Sequence, residues 1–298
     1  MSVVRGEARG RGAPDGGAAR GYRPSRTLSV PTELRRQASR RRTQLALGFM
    51  ALLPVIILVA FQFERDGGDS RGRGEFGSVL EMATSGGLNF TLFTILVSAS
   101  FLLVVIVALF FGDTVASEAS WGSLRYLLAI PVPRARLLAV KLMVAMIYSV
   151  AALLILAGTA LAVGTLRYGW SPLRSTVAAE ISAGEGVLRL LGILGYLAMT
   201  LTIVAGIAFL LSVSTDAPLG AVGGAVLLWI LSSILDQISA LGALRAVLPT
   251  HYSDAWIGLL STPMQTDDVV RGCISAICYA TVFWSLAFWR FTRKDVVS

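Results

Sequence analysis

The chain has 298 residues, 55% of them hydrophobic and only 15% charged, with a mean hydropathy of +0.70. Ordinary soluble domains carry about 25% charged residues, so this composition excludes a soluble fold for most of the chain and makes a bilayer its solvent. The net charge of +8 does not indicate nucleic-acid binding, because residues 1–44 alone hold eleven arginines and three acids and account for all of it. A basic tail beside a membrane span sets topology and meets lipid headgroups.

In chain order, residues 1–28 are Gly-, Arg- and Pro-rich with almost nothing to bury, and are expected to be a disordered basic tail without a cleavable signal peptide. Residues 29–44, opening on Pro31-Thr32-Glu33-Leu34 and continuing through Arg35, Arg36, Arg40, Arg41 and Arg42, are expected to form an amphipathic elbow helix on the membrane surface. The alternative is a basic tail without structure.

Six apolar runs then reach spanning length, at about 45–61, 88–111, 142–166, 190–213, 218–235 and 273–289. The expectation is an all-α integral membrane protein with six transmembrane helices, the first kinked at Pro54. The N-terminal segment, the 112–141 loop and the C-terminal end are rich in basic residues. The 62–87 loop has three basic residues against five acids, and the 236–272 loop two against four. By the positive-inside rule both termini are cytoplasmic. Leu248-Pro249, Tyr252, Trp256, Ile257 and Leu259 suggest one or two short helices on the outer leaflet, or a loop with buried side chains.

The segment from Phe111 to Lys141 is half polar. Leu124, Leu127 and Leu128 fall at helical spacing, and Pro131-Val132-Pro133 breaks the chain before Arg134, Arg136 and Lys141. A short amphipathic helix held by two prolines at a membrane surface suits contact with a soluble partner, and a plain surface loop is the alternative.

The sequence contains no G-x-x-x-x-G-K-[ST] loop and no H-E-x-x-H. The single histidine, His251, has no Cys/His/Asp cluster nearby in the sequence, so neither a metal site nor a catalytic residue is assigned. Cys273 and Cys278 read as small apolar helix residues, not a disulfide. Asp113, Asp216 and Asp236 fall at run ends, where water or headgroups are expected to solvate them. Ser98, Ser100, Ser149, Thr159, Thr200, Thr202, Ser232 and Ser233 are expected to make helix-packing contacts. Gly220 and Gly224 form a G-x-x-x-G spacing that suggests a dimer face.

The 112–141 segment resembles the cytoplasmic loop of ABC-2 type transporter permeases. It supplies Gly112, Val115, Ala116, Glu118, Gly122, Ser123 (threonine in the usual pattern), Leu124, Leu127, Leu128, Pro131, Val132, Pro133, Arg134 and Lys141. The ending Phe291-Thr292-Arg293-Lys294-Asp295-Val296 and the stretch from Leu248-Pro249 to Trp256 look like the family's closing segments, so the resemblance spans residues 29–298. It implies the permease half of an exporter in the cell membrane, paired with a second permease chain (a homo- or heterodimer) and with separate ABC ATP-binding subunits. ATP and Mg would be bound by those subunits, and this chain would hold no cofactor. The coupling loop would comprise Glu118, Gly122, Ser123, Leu124, Arg125, Leu127, Leu128, Pro131 and Arg134, with Glu118 and Arg125 expected to pair with a charged cleft on the ATPase. Two other readings remain beside it: a membrane-embedded enzyme such as an intramembrane protease or lipid transferase, and a membrane anchor or signalling partner of an ATPase.

Overall fold

The structure, a computed structural model, describes residues 29–66, 75–120, 133–174 and 180–293. Among them the chain is helical, with no strand beyond one isolated antiparallel bridge between Leu173 and Ile181. The helices are α1 (Val30–Ala38), α2 (Arg41–Asp66), α3 (Glu75–Ala83), α4 (Gly87–Ala99), α5 (Leu102–Ser120), α6 (Arg134–Tyr168), α7 (Ala183–Ser214), α8 (Pro218–Asp236) and α9 (Asp267–Arg293). Six of these, α2, α5, α6, α7, α8 and α9, are long and apolar enough to cross a membrane. The tail 1–28 and the loop 121–132 lie outside the described residues.

Local sequence explains most helix boundaries. Pro31 occupies the first turn of α1, and Pro218 opens α8, both where a missing N–H costs nothing. Ser182 caps α7, its hydroxyl accepting from the Glu185 N–H at 3.4 Å. Gly169, at φ 80°, ends α6 in the left-handed region that favours glycine. The expected elbow is shorter than 29–44. It stops at Ala38, the chain turns at Ser39–Arg40, and Arg41 already belongs to the spanning helix α2.

The second apolar run departs from expectation. It is not one helix over 88–111 but two, α4 and α5, interrupted at Ser100–Phe101. The backbone at Ser100 stays αR (φ −71°, ψ −32°), so the interruption is local. The physical reason lies in the neighbours: α4 packs on α6, while α5 packs on α7 and α8. A single straight helix would serve only one of these.

α5 and α7 form the centre of the bundle, and α2, α8 and α9 lie at its outside with large apolar side chains exposed. In a bilayer such side chains meet acyl chains at no cost, so helix association depends on close packing. Gly112 of α5 shows this: a Cβ there would stand 2.8 Å from Val222 Cγ2 of α8. At the α4–α6 contact Gly87 lies against Thr165, where a Cβ would meet the Thr165 Cα at 2.8 Å.

The polar residues of the spans mostly satisfy themselves within their own helices. Thr159, Thr200, Thr202 and Ser233 donate to carbonyls three or four residues back. Ser232 does reach across, to Thr250 at 2.7 Å. The most telling cross-helix contact comes from a residue the sequence did not single out. Ser212 Oγ of α7 accepts from the backbone N–H groups of Val115 and Ala116 in α5, at 3.0 and 3.1 Å.

Candidate functional site

The chain turn between α1 and α2 folds over the end of α5 and the start of α6, and it assembles a charged network there. Lys141 of α6 is buried and lies 2.6 Å from Glu118 of α5 and 3.5 Å from Glu33 of α1. Arg36 pairs with Glu118, and also reaches Glu33 at 3.4 Å. Arg40 approaches Asp113 at 3.6 Å and Glu118 at 3.8 Å, while Arg42 holds Asp113 at 2.6 Å. Tyr148 of α6 donates to the Leu34 carbonyl at 2.8 Å and so fixes α1 against α6 from a second side.

The energetics of such a network are asymmetric. Burying an ion pair gains little over a well-packed apolar pair, but removing one partner leaves an uncompensated buried charge and costs about 3–5 kcal/mol. Glu118 and Lys141 have side chains only 3% and 4% exposed, so each depends on the other.

This geometry places the expected site residues as follows. Glu118 ends on an internal network, its carboxylate turned to Lys141 and Arg36 instead of outward. Gly122, Ser123, Leu124, Arg125, Leu127, Leu128 and Pro131 lie outside the described residues. Arg134 begins α6 and donates to the Thr292 carbonyl near the end of α9 at 3.4 Å. Gly220 is exposed near the start of α8, whereas Gly224 lies against Leu211 of α7, where a Cβ would come within 3.1 Å of the Leu211 Cδ1. The small face at Gly224 is thus used within the chain.

Asp113 requires a correction. Solvation at a run end was expected, but its side chain is 9% exposed and bound by Arg40 and Arg42. The arginines come from a segment distant in sequence, which brings its own cations instead of leaving the carboxylate to water. Glu33, Arg40 and Lys141 belong to the same network. The signal for Glu33 was its position as the lone acid among arginines, a place where an ion pair is the natural outcome.

The opposite end of the bundle holds a second polar arrangement. The 236–272 connection forms two 3-10 stretches, Ser239–Val247 and Ala255–Leu260, and buries Trp256. Arg189 of α7 is buried there and donates to the Leu259 and Ser261 carbonyls at 3.1 and 2.9 Å, with Glu185 as its counter-ion at 2.6 Å. His251 Nδ1 lies 2.6 Å from Asp236, and Arg245 approaches the same carboxylate at 3.5 Å. The sequence shows no Cys/His/Asp cluster around His251, and the fold brings Asp236 to it across 15 positions. The pair borders a cavity of about 160 Å³ that Thr200, Ser233 and Asp254 also line. Burial and the charge of Asp236 raise the Asp254 carboxyl above its ordinary range. Among the described residues no hydroxyl hydrogen-bonds to the other imidazole nitrogen, and no group of three or more His, Cys, Asp or Glu is placed to hold a metal ion. Cys273 and Cys278 are free thiols.

No curated protein matches the chain. A family profile described as "Protein of unknown function (DUF2705)" matches residues 51–297, from the first spanning helix to the C-terminal end, and the chain belongs to that family.

Proposed function

We propose that this chain is the permease subunit of an ATP-binding cassette exporter, driven by a separate ATP-binding subunit that docks on the 112–134 loop. The observation that carries the reading is the clamp at the base of that loop. α5 and α6 enter and leave it, and Glu118, Lys141 and Glu33 tie both helices to α1. A push on the loop is passed into two packed helices rather than absorbed by a loose connection. The resemblance of the 112–141 segment and the six apolar helices support the same reading. The distribution of basic residues puts the clamp and both termini in the cytoplasm. A second permease chain completes the path, and ATP and Mg belong to the partner.

Among the described residues, the Asp236–His251 pair is the feature that favours a membrane-embedded enzyme. A hydrolase of that kind needs a nucleophile on the free imidazole nitrogen, and the geometry supplies none among the described residues.

The test is docking and flux together. The chain is co-expressed with the ATP-binding subunit from a neighbouring gene, and Gly122→Trp is compared with wild type and with Arg71→Glu in the 62–87 loop. Gly122→Trp is expected to insert normally, lose the ATPase on pull-down and lose nucleotide-stimulated flux in vesicles, while Arg71→Glu changes neither. Normal docking and flux by the Gly122→Trp variant would overturn the assignment. Docking without any flux in the wild type would favour the anchor or signalling reading.

A further inference from the structure

The corner between α1 and α2 has more positive charge than the network consumes. Arg36, Arg40, Arg42 and Lys141, four cations, share the three carboxylates of Glu33, Asp113 and Glu118. Arg41, exposed at the first position of α2, has no ion pair among the described residues. These four arginines line a groove of about 480 Å³ together with Ser117 and the two paired acids Asp113 and Glu118. Each guanidinium has five N–H donors in a planar fork, so the salt bridges leave most of them unused.

The apolar surface below this groove is continuous with it. At about 100° per residue, Leu45, Phe49, Leu52, Ile56 and Val59 fall within about 80° of the direction of Arg41 around the α2 axis. All five are exposed, Leu45 by 74%. The inward face of α2 is carried by other residues, Ala46, Met50 and Phe61, each nearly inaccessible. The helix therefore separates two faces, and the outward one runs from an arginine-lined groove straight into an apolar stripe.

We infer that this corner is a binding site for an anionic phospholipid. The phosphate is held by Arg41 with the free donors of its neighbours, and the acyl chains lie along Leu45, Phe49 and Leu52. A soluble anion would use the groove but not the stripe, and an apolar partner helix would use the stripe but not the charge. A phospholipid of net negative charge uses both. The site sits on the clamp that ties α1 to α5 and α6, so its occupant bears on the stiffness of that clamp. The inference rests on the chain lying in a bilayer, and it holds whether or not the chain is a transporter subunit.

The experiment places a reporter on the stripe. The full chain carrying Phe49→Trp is reconstituted in nanodiscs of phosphatidylcholine with a minor fraction of brominated phosphatidylglycerol or, separately, brominated phosphatidylcholine. Quenching is read after subtracting the parent chain's own tryptophans. Brominated phosphatidylglycerol is expected to quench preferentially. Adding Arg41→Gln should lower that preference about fivefold, the share of one arginine in attraction to an anionic surface. Arg271→Gln, at the opposite end, should leave it unchanged. Equal quenching by the two lipids, or an unchanged preference with Arg41→Gln, overturns the inference. In detergent, inorganic phosphate should fail to displace phosphatidylglycerol. Displacement at comparable affinity would identify a soluble-anion site and reject the lipid. A second copy of this chain covering the stripe would show as loss of quenching by both lipids together with cross-linking through Phe49→Cys, and it would reject the lipid as well.

Discussion

The two ends of the bundle solve the same problem, holding a segment that is not itself a spanning helix, in different ways. At the arginine-rich end α1 is held by side chains facing side chains: Glu33, Asp113 and Glu118 against Arg36, Arg40, Arg42 and Lys141. At the other end the connection is held largely by side chains facing backbone: Arg189 donates to the carbonyls of Leu259 and Ser261, Tyr196 to that of Tyr252 and Tyr279 to that of Val247. A carbonyl is always present whatever the residue, so the second device tolerates sequence change in the loop. The first device depends on matched charge and responds to a single added or removed charge. That is the behaviour the docking and lipid binding proposed above would call on.

Three substitutions would sharpen or break this contrast. The largest effect is expected from Glu118→Ala, which leaves Lys141 buried without its closest partner and should cost about 3–5 kcal/mol. Thermal unfolding in detergent reads it, and the double variant Glu118→Leu with Lys141→Met should recover most of the loss, because it removes both charges. A single variant as stable as wild type would mean that the network does not hold the corner.

A smaller and strictly local effect is expected from Arg189→Met. It removes two charge-assisted hydrogen bonds to carbonyls, a net loss of about 1.5–3 kcal/mol once the freed carbonyls turn to water. Hydrogen exchange should accelerate across residues 255–266 and stay unchanged in α1. Acceleration at α1 would show that the two ends are coupled, contrary to the separation drawn here.

The smallest effect belongs to Asp254. Its carboxyl is raised by burial and by Asp236, so the fold binds this proton more tightly than the unfolded chain does. Its contribution to stability is therefore fully present below the ordinary carboxylate range and is lost as pH rises through the raised folded value. Asp254→Asn should be slightly more stable than wild type at neutral pH, and the difference should vanish below about pH 4. The side chain still reaches solvent, which keeps the gain small. A melting-temperature difference that grew on acidification would contradict this sign.

Much of the architecture was legible because a bilayer imposes a length. Five of the six apolar runs correspond each to one spanning helix, extended by a few polar residues at the ends: the run at 190–213, for instance, becomes α7 from Ala183 to Ser214. The break at Ser100–Phe101 was not legible. Neither residue is a proline or glycine, and hydropathy does not register a change of packing partner. The cysteines, free as expected, needed no three-dimensional information. Arg189 was hidden by its place immediately before an apolar run, where a charge reads as the end of a span when it is in fact inside α7.

Composition and run length alone were enough for the solvent, for the number of helices long and apolar enough to span, and for where the basic residues concentrate. Only the tertiary structure decided the partners of the buried charges. Arg42 meets Asp113 across 71 positions, and Lys141 meets Glu33 across 108. An ion pair forms wherever folding brings opposite charges into a site that excludes water, and no local pattern records which distant charge will arrive.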